Sequence, residues 1–517
     1  SRDWSSDVCS SDLVAPGAEV TIAADALKPF VPGTESVALS IASWRGFDAA
    51  GLLRSLDRYP YGCIEQTTSR ALPLLYFNDV ALLSGKPLDK DIETRVQEAI
   101  WRVLDMQTAA GSFGMWGPYG GIVDWLSVYA TDFLLQAKAK GKNVPEAQLR
   151  QAVTYLRSLA ANDSGNAGAY ALYVLAREGE ANIGRLRQFH DAEVGKLGDS
   201  MGLGHLGAAL ALAGDRARSG SAFGLARNAI GRTTEGDYYG SALRNLAGLV
   251  TTAAVAGQDA VVEAVFDRFS QLERMPDIDL TSTQEKAWML LATNALGRRG
   301  GPLNLERGGQ PVRLSGERAV FNPDAAALAA GFAVRNAAAT PVWATVSVTG
   351  VPQEPFPPVE EGVHVDRAFF TLDGSPADLE KLRQNDRLVV SLSGHVDPAL
   401  RRVREFHHEL VILDLLPAGF EVEAVLARDE NGKSIYDFLK PLSETAMREA
   451  RDDRFVAAVN LPASNTQQLP YDEFHVAYVV RAITPGTYTL PAASVEDMYQ
   501  PTVHARSVQR TVIIEAR

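Results

Sequence analysis

The feature that most restricts the fold is a change of texture, made twice along the chain. From about residue 46 to 298 apolar side chains recur at i, i+3, i+4 and i+7, whereas on either side they alternate near period two. "FDAAGLLRSLDRY", "DIETRVQEAIWRVLDMQ", "DWLSVYATDFLLQAKAKG", "PEAQLRQAVTYLRSLAA", "AGAYALYVLAREG" and "GSALRNLAGLVTTAAVAG" read as amphipathic helices. Many stop at a glycine suited to a C-cap. About a dozen helices with short links imply successive helical hairpins, stacked as a solenoid or closed as an α/α toroid. Before them, "EVTIAADA" and "SVALSIAS" read as strands, separated by the turn-rich "KPFVPGTE". After about residue 300, "AALAAGFAVRN", "PVWATVSVTG", "DRLVVSLSG", "HELVILDLLP", "FEVEAVLA", "RFVAAVNLP", "DEFHVAYVVRAI" and "SVQRTVIIEA" read as β-sandwich strands. A helical domain inserted into a β-sandwich explains this order most simply, with residues 14–45 pairing with strands just after 300.

At 517 residues the chain exceeds one compact domain, and roughly two to four are expected. A composition of 46% hydrophobic and 22% charged residues is that of ordinary globular protein. The net charge of −13 leaves no basic footprint, which argues against nucleic acid as a partner. No apolar run reaches the roughly 18 residues a membrane span needs. There is no initial Met or signal peptide, so any export signal is expected outside this sequence. Two cysteines, Cys9 and Cys63, do not make a disulfide framework. Cys9 lies in "SRDWSSDVCSSDL", which has no periodicity and resembles translated read-through of a sequencing adapter. Residues 1–13 are therefore set aside, and the remainder reads as the C-terminal part of something longer.

Cys63 sits in "YPYGCIEQTTSR". Pro60 and Gly62 oppose a helix through 59–62, while "CIEQTTSRALPLLYF" can begin one. Positions i and i+3 then share a face, so the Cys63 thiol can reach the side-chain carbonyl of Gln66. Attack on that amide with loss of ammonia would give an internal thioester. Glu65 points elsewhere, free to assist proton transfer or to face solvent. The bond would need a fold that enforces contact and a shell that excludes water. Tyr59, Tyr61, Trp116 and Tyr119 are candidates for an aromatic wall. On pattern alone, a half-buried structural cysteine beside an unrelated glutamine fits as well.

The motif resembles the thioester motif of α2-macroglobulins, most closely the bacterial members, with Gly-Cys-x-Glu-Gln after Tyr-Pro-Tyr. "GSFGMWG", "VDWLSVYATDFLLQAK" and "TSTQEKAWMLLATNAL" resemble that family's thioester-containing helical domain. "HELVILDLLPAGFEVE" and "VRAITPGTYTLPAASVEDMYQPTVHARS" resemble its last macroglobulin-like β-sandwich. The resemblance implies a multidomain α + β chain. An α/α toroid (46–298) would be inserted in a CUB-type β-sandwich (14–45 and 299–350), followed by a macroglobulin-like β-sandwich (351–517). It implies an endopeptidase inhibitor rather than an enzyme: a bait region is cut, the molecule rearranges, and the uncovered thioester acylates a lysine of the protease. Cys63 would be the thiol, Gln66 the acyl donor, and Tyr61, Gly62 and Glu65 their motif neighbours. Tyr499, with Met498 beside it in "EDMYQP", matches the tyrosine thought to shield the bond. No cofactor is implied; the reactive group is an internal isoglutamyl cysteine thioester. Expected partners are target proteases and the absent N-terminal domains with their bait region. The fragment is expected to be monomeric and free of membrane contact. The family's location is periplasmic or cell-envelope, often as an inner-membrane lipoprotein.

Other constellations carry less. His205 in "MGLGHLGAALALAGD" could serve Cys63 as the base of a hydrolase, but packing in an apolar helix accounts for it. "MQTAAGSFGMWG" resembles the repeats of terpene cyclases, yet no DxDD motif is present. Asp124, Glu235 and Asp237 read as caps rather than glycosidase carboxylates. His407, His408 and Glu409 alternate faces on a strand and cannot readily share a metal. A binding protein that keeps the motif without the bond is the remaining alternative.

Overall fold

The computed structural model describes residues 8–22, 24–58, 62–76, 92–233, 239–270, 280–297, 303–312, 314, 318–397, 400, 408–461 and 473–516. The chain forms two compact units, one ending at Gln353 and the other comprising Glu354–Arg517, with Leu280–Ser282 grouped in the second.

In the first unit, β-strands from both ends of the segment close one sandwich. Strand Ser36–Ala42 pairs antiparallel with Val342–Thr349, Ser36 opposite Thr349 and Ala42 opposite Trp343, and on its other edge with Arg318–Phe321. A second sheet orders Glu19–Ile22, Phe332–Asn336, Leu305–Arg307 and Gln310–Pro311. Val37, Leu39 and Ile41, two residues apart, join Ile22, Phe332, Val334 and Val342 in a single core. The helical segment is therefore inserted in a β-domain, as the texture predicts. Two local expectations need correction. Residues 8–13, set aside above, run within strand Val8–Val14 antiparallel to Val342–Thr349; main-chain hydrogen bonding at a sheet edge asks little of side chains. In "AALAAGFAVRN" only Phe332–Asn336 is strand, because Asp324 caps a short helix at Ala325–Ala329, accepting from Ala327 N at 2.8 Å.

The helices are α1 (Ala49–Arg58), α2 (Ile64–Leu74), α3 (Ile92–Asp105), α4 (Asp124–Ala139), α5 (Glu146–Asn162), α6 (Asn166–Arg177), α7 (Ile183–Gln188), α8 (Ser200–Leu212), α9 (Arg216–Asn228), α10 (Ala242–Ala256), α11 (Asp259–Ser270) and α12 (Thr283–Gly297). The even-numbered helices touch in a closed ring, α2 to α4 and onward through α6, α8 and α10 to α12, which returns to α2. The odd-numbered ones lie outside. Their burial follows: α3 buries a stripe of Val96, Ile100 and Val103 and α5 one of Leu149, Ala152, Leu156 and Ala160. By contrast, all of Ser200–Leu210 in α8 is buried. This ring is an α/α toroid and not an open solenoid. On the sandwich sheet, Ala38 and Ala42 are buried in the outward phase too, and Arg54 of α1 donates to Ser347 Oγ there at 2.6 Å.

The second unit stacks two main sheets. One orders Val363–Thr371, Arg387–Val396, Glu473–Ala482 and Phe420–Val425; the other runs through six strands from Met447–Arg451 to Val359–Glu361 and includes His408–Leu415, Ala493–Asp497 and Gln500–Arg506. Leu392, Ile412, Phe455, Val476 and Val495 lie in the core between them. A deeply buried arginine–carboxylate pair, Arg367–Asp414, is completed by the Tyr478 hydroxyl (2.7 Å) and the Pro491 carbonyl (2.7 Å).

Candidate functional site

Helix α2 begins abruptly. Cys63 is extended (φ −68°, ψ 170°) and is its N-cap, with Sγ accepting from Gln66 N at 3.5 Å. A hydroxyl cap followed three residues later by Glu or Gln forms a capping box, in which the third side chain folds back toward the cap residue. Here the capping atom is sulfur and the third residue is Gln66. The first turn thus puts both side chains on one face. Cys63, Glu65 and Gln66 each have 0% exposure.

A loop holds this helix start from one side. Ile64 N donates to Met115 O at 2.9 Å, satisfying one of the amides every helix N-terminus leaves open. Met115 is fixed in turn by its own N–H to Gly121 O (3.0 Å), Gly114 N to Met106 O (3.0 Å), and Phe113 N to Ser127 Oγ (3.1 Å). Gly114 has no alternative, since a Cβ there would lie 2.1 Å from Gly117 O. Arg102 Nε donates to Gly62 O at 3.4 Å.

Glu65 holds it from beneath. Thr283 Oγ1 of α12 lies 2.8 and 2.7 Å from the two carboxylate oxygens, and Ser69 Oγ donates to Oε1 at 2.6 Å. Ser69 Oγ is also 3.2 Å from the hydroxyl of Tyr129. Burial, above all, pushes the Tyr129 phenol far above its usual range, so it stays a neutral O–H donor. The Glu65 side chain also sits in the first turn of α2, where the helix dipole favours acidic residues. Solvent exposure of Glu65, an option left open by the sequence, is thereby corrected: the carboxylate is a buried tie between α2 and the last helix of the ring. Sequence reasoning missed Thr283, Ser69, Tyr129 and Met115. The i, i+4 spacing of Glu65 and Ser69 is the one local signal that could have found part of this network.

The ring interior behind it is aromatic. Tyr129 stacks on Trp288 (6.0 Å), Trp125 lies 5.3 Å from Tyr129, and Arg244 covers Trp125 at 4.8 Å. His205 stacks on Tyr170 at 4.3 Å and meets Trp288 edge-on at 5.9 Å. Its two ring nitrogens are buried and have no hydrogen-bond partner among the described residues. Burial, then the charges of Arg244 and Arg177, push it down to about 3. His205 is a packed neutral histidine and makes no dyad with Cys63.

Of the proposed aromatic wall, Trp116 is half-buried, whereas Tyr119 is 100% exposed on its loop and walls nothing in this unit; a tyrosine between Pro118 and a Gly pair has no neighbours to pack on. Tyr59 and Tyr61 lie outside the described residues, as do Glu235, Asp237 and His407. Asp124 accepts from the Tyr155 hydroxyl at 2.6 Å. In the second unit Met498 and Tyr499 form the two-residue turn between strands Ala493–Asp497 and Gln500–Arg506, at 0% and 8% exposure. Among the described residues no three His, Cys, Asp or Glu side chains are grouped to hold a metal, and no helix is long and apolar enough to cross a membrane.

Fold and site together define an α/α toroid set within a β-domain, with a buried cysteine and glutamine at the start of one ring helix, and followed along the chain by a β-sandwich. Residues 38–168 match the family model for the A-macroglobulin TED domain and residues 362–502 that for the bacterial alpha-2-macroglobulin MG10 domain. An alpha-2-macroglobulin of Xylella fastidiosa strain Temecula1 is 31% identical over 92% of this chain, which spans 30% of that relative's length. The crystal structure of native Escherichia coli alpha-2-macroglobulin from domain MG7 to the C-terminus matches with a TM-score of 0.79 at 27% identity, covering 99% of this chain and 82% of that one. A Salmonella alpha-2-macroglobulin reacted with methylamine matches with a TM-score of 0.77 at 28% identity, covering 99% of this chain and 34% of that one. The chain belongs to the bacterial alpha-2-macroglobulin family and corresponds to its C-terminal region.

Proposed function

We propose that this chain carries the reactive thioester of a protease-trapping inhibitor. Cys63 Sγ adds to the side-chain carbonyl of Gln66; the S–C bond forms, the C–N bond breaks, and the amide nitrogen leaves as ammonia with the thiol proton. The observation that carries this reading is the start of α2, where the sulfur accepts from the main-chain N–H of Gln66, the i, i+3 spacing sets the two side chains on one face, and neither residue is exposed. A fixed, water-poor contact is what an amide needs before a thiol can attack it. A lysine amine of a protease then attacks the acyl carbon, forming an amide and returning the proton to the sulfur. The Gln66 N–H that faces Sγ meets the negative charge developing on the leaving sulfur. Each site reacts once, so the protein is an inhibitor and not a catalyst.

Tyr499, seconded by Met498, shields the bond from water until the trap is sprung. The bait region and the remaining domains belong to the longer protein, whose place is the periplasm or cell envelope, and the split β-domain is of CUB type. The Salmonella relative reacted with methylamine supports amine reactivity in the family.

Incubation with methylamine followed by peptide mapping tests the chemistry. One methylamine is expected on Gln66, together with a newly titratable thiol on Cys63. Cys63→Ser keeps an N-cap acceptor and is expected to leave the fold intact while abolishing uptake. Uptake that survives Cys63→Ser, or continuous turnover of an amide substrate, would replace this reading with that of a toroidal enzyme. No uptake by wild type would leave a binding protein.

A further inference from the structure

The turn that carries Met498 and Tyr499 is held by a buried histidine–aspartate pair. Two residues join its strands, with Asp497 opposite Gln500. Two-residue hairpins ordinarily use turns with positive φ at a central position, because those match the twist of the strands. Among the described residues the only non-glycine at positive φ is Asn385, so Met498 and Tyr499 adopt no such turn. The register shifts between Glu496 and Asp497 instead. A hairpin of this kind needs support from outside its own backbone.

Asp497 supplies it. Its Oδ1 accepts from the main-chain amides of both Tyr499 and Gln500 at 3.0 Å. Its Oδ2 lies 2.8 Å from Nδ1 of His408, on the adjacent strand. An ionised carboxylate only accepts, so His408 Nδ1 bears the proton and donates. Asp497 is 0% and His408 5% exposed. The next residue, Glu409, accepts Met498 N through its carbonyl at 2.9 Å. Two consecutive residues of one strand thus hold the turn, Glu409 through its carbonyl on Met498 and His408 through Asp497, whose carboxylate takes the Tyr499 amide.

We propose that His408 and Asp497 are positioning residues for the shield: they hold the hairpin in the conformation that lets Tyr499 protect the thioester, and so set the lifetime of that bond. This rests on the reading of Tyr499 as the shield. Without His408 a buried carboxylate loses its imidazole N–H donor, the turn relaxes, and Tyr499 spends part of its time elsewhere.

The test is the second-order rate of methylamine-induced thiol release from the full chain, measured well below the melting temperature, with the melting temperature recorded beside it. Tyr499→Gly is expected to accelerate release. His408→Ala, or the bulkier His408→Leu should the alanine variant not fold, is expected to accelerate it roughly ten- to a hundred-fold, the range for losing a hydrogen bond to a charged group. His408→Asn places an amide N–H where Nδ1 was, and is expected to stay within about two-fold of wild type. The double variant His408→Ala/Tyr499→Gly should react no faster than Tyr499→Gly alone, because the histidine acts only through the tyrosine. Wild-type reactivity in folded His408→Ala and His408→Leu, or multiplied effects in the double variant, overturns the positioning role while leaving the shield standing. An unchanged rate in Tyr499→Gly, or no reaction in wild type, overturns the shield or the thioester itself, and this inference with it.

Discussion

At the scale of single residues, function rests on what lies one helical turn apart. Cys63 and Gln66 are legible because three-residue spacing at a helix start has one geometric meaning. Glu65 is not, because its partner Thr283 stands 218 residues away and no local pattern announces the pairing. The same blindness affects aromatics: Trp116 and Tyr119 look alike in the sequence, yet only the loop's path leaves Tyr119 fully exposed. Glu65→Gln keeps the shape but turns one of the two hydroxyl-accepting oxygens into an amide N–H. It is expected to destabilise the helical domain by about 1–3 kcal/mol, the range for leaving a buried polar group unsatisfied, and to lower the yield of methylamine-reactive thiol. Denaturant unfolding followed through the buried tryptophans, with thiol titration alongside, checks both. Unchanged stability would mean that the carboxylate is not the tie between α2 and α12.

At the scale of elements, the periodic segments show where helices run but not how they close. Closure depends on α2 meeting α12, a contact between the two ends of the domain. The alternation of stripe-buried and fully buried helices records it afterwards. The ring interior also carries a pH dependence. His205 has its folded value pushed down to about 3 from an ordinary 6.5, so the unfolded chain takes up a proton that the folded core refuses. The stability it allows is therefore whole above about pH 6.5 and is lost as pH falls toward 3, with a slope of up to about 1.4 kcal/mol per pH unit. His205→Phe keeps a ring against Tyr170 and Trp288 and is expected to flatten that slope by about one proton. Helical circular dichroism in denaturant across this pH range measures it, and an identical slope in both proteins would show that His205 does not titrate with unfolding.

At the scale of the whole molecule, the order of textures, β then helical then β, carried the architecture. Strand Ser36–Ala42 pairs with strands some 280 to 310 residues later, as an inserted domain requires. Residues 8–13 join a sheet edge through backbone, which composition does not report. The clasp at Asp497 was also hidden: "HELVILDLLP" and "SVEDMYQP" each read as plain strand and turn, and only the sheet brings His408 beside Asp497. All of this architecture serves one proposed covalent bond. The most direct measurement of it is the intact mass of freshly prepared protein. A mass one ammonia below that of the sequence, rising by one whole methylamine as the Cys63 thiol is freed on methylamine treatment, is the predicted result. The full sequence mass, with an unmodified Gln66 amide and no response to amine, would contradict the account.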